Sequence, residues 1–154
     1  MKQPLSADLP FAEGYVLPID KPLGWTSSDV VRKIKVMMRR LGHRKIKVGH
    51  AGTLDPLATG ILIVCLGRAT KQAEALQAQP KEYLTTLALG ATTPSFDMEH
   101  PVDRTFPYEH ITRQMLEEAL RTMEGEQMQL PPVYSAKSID GKRAYEYARQ
   151  GTEV

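Results

Sequence analysis

The sequence predicts a single unit of mixed helices and strands, and three observations support this fold class. Short apolar runs that end in turn residues alternate with segments whose apolar residues recur at helical spacing. No internal repeat and no clear linker interrupts the 154 residues. A chain that is 42% hydrophobic and 25% charged can bury its own core, which excludes disordered and fibrous proteins.

The first predicted elements are a strand and a helix. Residues 14–20 (GYVLPID) form an apolar run that ends at a Lys-Pro-Leu-Gly turn, which predicts a strand. Thr26 is a candidate N-cap with Asp29 three residues later, a variant of the capping box. Apolar residues then recur at helical spacing over residues 30–41 until Gly42, which predicts a helix whose other face is basic.

The middle of the chain predicts three strands, a loop and a helix. Residues 46–49 and 61–66 are predicted strands, and residues 49–60 (GHAGTLDPLATG) hold three glycines and a proline, which predicts a loop. Residues 68–78 are a predicted helix, and the β-rich run at 82–89 (EYLTTLAL) is a predicted strand.

Two helices are predicted in the last third of the chain. Thr112 is the N-cap of the first, whose apolar residues share one face: Leu116, Ala119, Leu120 and Met123. The second follows the Asp140-Gly141 turn signal and covers residues 142–149.

Basic residues are concentrated in one segment. Between residues 30 and 54 there are eight lysines and arginines, two histidines and no acid, whereas residues 97–126 hold eight acids and three arginines. A basic segment can attract a polyanion such as nucleic acid, but it is more often only a solvated surface. The charge pattern alone leaves both interpretations open.

The sequence also bears on compartment. The longest uncharged apolar run, residues 60–67, is far shorter than the roughly 20 residues of a membrane span. Residues 1–13 lack the apolar region of a signal peptide and are expected to be an untargeted leader. The single cysteine, Cys65, excludes an internal disulfide and a cysteine-based zinc cluster. We therefore expect a cytoplasmic protein that does not enter a membrane.

Asp55 is the residue of chemical interest. Neither of the glycine-rich phosphate-binding motifs occurs, the four histidines lack zinc-ligand spacing, and no second acid lies in the loop at 49–60. An acid in an irregular loop flanked by basic residues can stay ionised and face a polyanionic ligand. The alternative is that the Asp-Pro pair only starts a turn.

The full string around Asp55 favours the first interpretation. Residues 49–71 (GHAGTLDPLATGILIVCLGRATK) resemble the signature loop of the TruB-type tRNA pseudouridine synthases. Three further segments resemble that family's other motifs in the same order: 14–35, which contains DKPLGWTS, 81–97 (KEYLTTLALGATTPSFD) and 129–151 (QLPPVYSAKSIDGKRAYEYARQG). The resemblance implies an α+β fold with a mixed, mainly antiparallel sheet and flanking helices.

The resemblance also implies an activity and its residues. The family isomerises uridine-55 in the T-loop of tRNA to pseudouridine, and Asp55 matches its catalytic aspartate. Tyr83 matches an active-site tyrosine and His50 a histidine that contacts the displaced nucleotide, while Lys21 and Pro22 match a structural pair near the site. No metal, nucleotide or redox cofactor is implied, and the implied partner is the T-arm of tRNA.

A second RNA contact is implied for the segment at about residues 127–154. It resembles the thumb of the family, whose basic residues would touch phosphates, and these match Lys137, Lys142, Arg143 and Arg149. Three positions depart from the usual pattern: Ser138 stands where lysine is usual, His100 where glycine is usual and Ser95 where threonine is usual.

The resemblance finally implies that residues 14–154 are the N-terminal part of a catalytic domain. The rest of that domain and a C-terminal RNA-binding domain would be absent from this chain, including an arginine that pairs with the aspartate. We expect the 154 residues alone to be inactive and the full-length protein to be a monomer. The alternative, if the chain ends at Val154, is a non-catalytic module that binds or folds tRNA.

Overall fold

A computed structural model describes residues 9–128 and the backbone of residues 138–139 and 142–143. The elements, in order, are β1 (Tyr15–Lys21), α1 (Ser27–Arg40), β2 (Val48–Ala51), β3 (Gly60–Leu66), a 3₁₀ helix (Gly67–Gln72), α2 (Ala73–Gln77), β4 (Ala91–Thr92), β5 (Arg104–Thr105), α3 (Arg113–Arg121), β6 (Ser138–Ile139) and β7 (Lys142–Arg143). The combination is α+β with antiparallel sheets, as the sequence predicts. The chain divides into two compact units, Met1–Tyr83 and Leu84–Val154.

The first unit is built on a three-stranded antiparallel sheet in the order β1-β3-β2. Lys21 pairs with Gly60 at one end of β1, and Ala51 pairs with Ile63 at the end of β2. Because β2 and β3 are antiparallel neighbours, residues 52–59 form the loop that joins them. That loop and the end of β1 therefore lie at the same end of the sheet.

Helix α1 covers one face of this sheet. Its capping box is present as predicted: the Thr26 hydroxyl accepts from the Asp29 N–H, and the Asp29 carboxylate accepts from the Thr26 N–H at 3.0 Å. The apolar spacing of the helix then directs one side inward. The buried core consists of Phe11, Leu17, Val30, Ile34, Met38, Leu62, Val64 and Leu66. Burying such side chains provides about 1.5–3 kcal/mol each.

The N-terminal segment contributes to this core. Phe11 is fully buried, and its ring lies edge-on to those of Tyr15 and His43. Gly67, at φ +57°, is where this segment crosses the 3₁₀ helix, because a Cβ there would lie 2.3 Å from the Phe11 carbonyl oxygen. Residues 9–13, which fall within the expected leader, are thus part of the folded unit.

Three local predictions are wrong. Residues 82–89 form no strand: no strand within residues 9–128 pairs with them, and the Leu84 side chain is fully exposed. Residues 67–77 form two short helices rather than one. Residues 142–143, predicted to begin a helix, pair with 138–139 as antiparallel strands, because a two-residue Asp-Gly connection favours a hairpin. The rest of that predicted helix lies outside the described residues.

The second unit contains β4, β5 and α3 among its described elements. Thr112 caps α3 as predicted, with its hydroxyl accepting from the Met115 N–H at 3.3 Å. The predicted apolar face of α3 is not buried by any residue that the structure describes, and Leu120 and Met123 are mostly exposed. The spacing of apolar residues thus predicts the helix correctly, but it does not identify what the helix packs against.

Candidate active site

The loop at residues 52–59 carries Asp55. The residues on either side of Asp55 are hydrogen-bonded to residues 21–27, which run from the end of β1 to the start of α1. On one side, the Ser27 hydroxyl accepts from the Leu54 N–H at 3.0 Å and donates to the Leu54 carbonyl at 3.1 Å. Ser27 is 3% exposed, so this two-way bond is shielded from water. The backbone immediately before Asp55 is therefore fixed to the first turn of α1.

On the other side, Lys21 and Gly24 hold Pro56. The Gly24 N–H donates to the Pro56 carbonyl at 2.8 Å, and the Lys21 Nζ lies 3.5 Å from the same oxygen. Lys21 is fully buried and also donates to the carbonyls of Trp25 at 2.7 Å and Pro22 at 3.1 Å. A buried amine with three donors is thereby satisfied by three acceptors.

Asp55 stands between these anchored neighbours with its side chain exposed. Its carbonyl accepts from the Ala58 N–H at 3.0 Å, so the predicted Asp-Pro turn does form. Within residues 9–128 the carboxylate makes no hydrogen bond or ion pair, which leaves both oxygens available to a ligand. Asp55 therefore starts the predicted turn and also exposes its carboxylate.

His50 lies on β2, paired with Val64 and half-buried. Its Nδ1 is within hydrogen-bond distance of the Gly52 carbonyl oxygen. Because a carbonyl can only accept, Nδ1 carries the proton, and Nε2 is the ring atom that can contact a ligand. Gly52 has φ +93°, a left-handed conformation that lets the chain turn from β2 into the Asp55 loop.

The structure does not bring every predicted residue to this loop. Tyr83 is 71% exposed in the irregular segment after α2, and it makes no hydrogen bond or ring contact with any other described residue. The side chains of Lys137, Lys142, Arg143 and Arg149 lie outside the described residues. Pro22 lies on the exposed turn after β1 and contributes its carbonyl to the Lys21 anchor.

Ser27 and Gly24 are not among the site residues predicted from the sequence. Both lie in the DKPLGWTS string, so the signal was present as a motif, but no spacing rule connects Ser27 with Leu54, 27 residues away. Among the described residues no cluster of histidine, cysteine or acidic side chains could hold a metal ion. None of the helices in that part of the chain is long and apolar enough to cross a membrane.

Comparison with known proteins agrees with the motifs. Residues 39–154 match the family model described as TruB family pseudouridylate synthase (N terminal domain). This chain belongs to the TruB family. Curated relatives of this TruB-family chain include proteins named tRNA pseudouridine synthase B from Phocaeicola vulgatus, 60% identical over 145 residues, and Flavobacterium johnsoniae, 49% identical over 146 residues. Both alignments cover 94% of this chain, and they cover 62% and 64% of those relatives.

Proposed function

We propose that this TruB-family chain is the N-terminal part of an enzyme that isomerises uridine-55 in the T-loop of tRNA to pseudouridine. The observation that carries the proposal is the anchored loop: Asp55 is exposed while Leu54 and Pro56 are both held by buried side chains or backbone N–H groups. Family membership and the names of the relatives support the reaction class. We further propose a cytoplasmic enzyme that is monomeric at full length.

The reaction needs little beyond a well-placed carboxylate. The C1′–N1 bond of the nucleotide breaks, the uracil turns, and C1′ bonds to C5, while the hydrogen on C5 leaves as a proton and N1 gains one. There is no net redox change and no water is consumed, so no cofactor has to be invoked. An ionised Asp55 could attack the sugar, attack the base or remove a sugar proton, and the fixed loop serves all three routes by limiting where the carboxylate can lie.

The uridine has to leave its stack before Asp55 can reach the glycosidic carbon. Extruding a base costs a few kcal/mol, and stacking on an aromatic ring can return about 1–3 kcal/mol. We propose that Tyr83 provides this stacking and that Nε2 of His50 contacts the displaced nucleotide. The exposure of Tyr83 fits an arrangement in which RNA, or the part of the protein that the relatives have beyond this alignment, brings it to the site.

The test is Asp55→Asn in a chimera that joins this chain to the remainder of the Phocaeicola vulgatus relative. Asparagine keeps the size but is a far weaker nucleophile and base, so turnover should fall by at least about a hundredfold. Tritium released from C5-labelled uridine in tRNA measures turnover, and filter binding should show an affinity within a few-fold of the parent. Glu74→Gln, an exposed carboxylate on α2, is the matched control. Substantial turnover by Asp55→Asn would contradict the assignment.

A non-catalytic tRNA-binding module is the second candidate for this chain. The exposed Tyr83, without a contact to the Asp55 loop among the described residues, favours it. The two proposals separate when tritium release is measured on the protein purified from its own organism. The module would bind tRNA without releasing tritium, whereas the enzyme would release it.

A further inference from the structure

Two adjoining grooves on the first unit are lined by cations. One, of about 240 Å³, is formed by the second half of α1 and the turn that follows it, and its cations are Lys35, Arg39, Arg44 and Lys45. The other, of about 310 Å³, shares Lys45 and Ile46 with the first and adds Lys47, Arg68 and Lys71. Neither is lined by an acid. We call the two together the basic groove.

The charges of the basic groove are uncompensated within the part of the chain that the structure describes. None of its lysines or arginines makes an ion pair there, and the only acid of α1, Asp29, is committed to the capping box and to Arg32 at the other end of the helix. Lys35 and Arg39 are four residues apart on α1, where like charges repel. The negative end of the helix dipole stabilises Arg39 in the last turn of α1, but it does not explain why further cations lie beside it outside the helix.

The floor of the groove is ordered by packing. The His43 ring lies edge-on to buried Phe11, and the His43 N–H donates to the Met38 carbonyl at 2.8 Å. The Gly67 N–H donates to the Lys47 carbonyl at 2.9 Å, which joins the start of β2 to the end of β3. These contacts fix the backbone that carries the cations, so the cations line a groove whose backbone is held in place.

The basic groove lies at the end of the sheet opposite to Asp55. Lys47 precedes β2 and Arg68 follows β3, whereas the Asp55 loop follows β2 and precedes β3. Strand β3 has seven residues, so the two ends of the sheet are about 20 Å apart. A ligand that contacts both must extend well beyond one nucleotide.

We propose that the basic groove binds backbone phosphates of the same tRNA, at a part of the molecule remote from the target uridine. This proposal rests on the proposed function, which places tRNA at the Asp55 end of the sheet. Lysine and arginine side chains without an acid or an exposed aromatic ring among them suit phosphates rather than base edges. The groove therefore adds affinity and orientation, and it takes no part in the reaction at C1′.

The test compares two charge-matched triple variants of α1 and the turn after it in the chimera. The groove variant is Lys35→Gln, Arg39→Gln and Arg44→Gln; the control is Arg32→Gln, Lys33→Gln and Arg40→Gln, three exposed cations that do not line the groove. We expect the groove variant to bind a full-length tRNA transcript about tenfold more weakly or worse, and the logarithmic salt dependence to become shallower by about two to three units. The control should change by much less, and turnover at saturating tRNA should stay unchanged in both.

The possible outcomes separate this proposal from the proposed function. Equal losses in both triple variants, or no loss in the groove variant, would overturn the groove proposal even if the chimera is fully active. Groove-dependent binding of polyglutamate but not of tRNA would overturn it in favour of an acidic protein partner. An inactive chimera would contradict the proposed function, while the binding comparison would still be readable. If a triple variant unfolds, Arg39→Glu against Arg40→Glu repeats the comparison with single changes.

Discussion

Ser27 and Lys21 each hold one neighbour of Asp55, and both act on main-chain atoms. Asp55 was singled out by the resemblance of residues 49–71 to the family's signature loop, because the charge and glycine content of the loop left a simple Asp-Pro turn open as an alternative. Sequence reasoning cannot find the contact between Ser27 and Leu54, because a hydrogen bond across 27 residues depends on how β1, α1 and the loop are folded together. The sequence thus points to Asp55 as a candidate but not to the residues that hold its loop.

Ser27→Ala tests the first support. The change leaves the Leu54 N–H without its partner, and an unpartnered buried N–H costs about 1–3 kcal/mol. We expect the urea midpoint of the chimera to fall and kcat to drop with it, since the carboxylate is less well placed. Ser28→Ala, at the exposed next position of the same helix, is the control and should change neither. A stable Ser27→Ala variant with parental kcat would show that the loop is held by other contacts.

Helix α1 and the segment at 82–89 show what the sequence determines at the scale of elements. The helix was predictable at both ends because Thr26, Asp29 and Gly42 act locally. The strand predicted at 82–89 does not form, because β propensity becomes a strand only where another strand offers its N–H and C=O groups. The same limit explains α3, whose cap is local and whose apolar face needs a distant partner.

The α1 cap should make stability depend on pH. Hydrogen bonds from the Thr26 hydroxyl and N–H hold the pKa of Asp29 below its ordinary value, with Arg32 adding a smaller effect in the same direction. Because the pKa of Asp29 is lower in the folded state, its carboxylate stabilises the fold fully at pH values above the unfolded pKa of about 3.9. This stabilisation is lost as the pH falls through the lowered pKa of the folded state. We expect Asp29→Asn to lower the urea midpoint at pH 6 and to have a smaller effect at pH 3.

Asp20→Asn, an exposed carboxylate on β1, is the control for this comparison. It should leave the difference in urea midpoint between pH 6 and pH 3 close to that of the parent. If Asp29→Asn lowers the midpoint equally at both pH values, the ionised carboxylate is not what stabilises the cap.

At the scale of the whole molecule, the two units differ in how far their apolar residues are buried. The first buries a core of eight side chains between α1 and the sheet. The second leaves large apolar side chains exposed, among them Leu87, Phe96, Met98 and Met123. The chain spans about 62% of the length of the Phocaeicola vulgatus relative. Composition predicted a chain that buries its own core, but it could not show that the described core lies in the first of two compact units.

Exposed apolar surface of this extent should be measurable. We expect the 154-residue chain to bind the dye ANS and to self-associate, because water-exposed apolar patches favour association. The chimera should bind much less dye and unfold in one cooperative transition. Equal dye binding by the two proteins would mean that the relatives' additional length does not cover these residues.

The Lys21 anchor has an asymmetric tolerance to mutation. Its three acceptors are carbonyl oxygens of Pro22, Trp25 and Pro56, and every amino acid carries that oxygen on its backbone. As far as this anchor is concerned, the side chains at those three positions can be substituted without the loss of a hydrogen bond. No residue other than lysine offers a compact amine with three donors at the end of a flexible stem. In saturation mutagenesis, selection on the anchor should therefore act at position 21 alone.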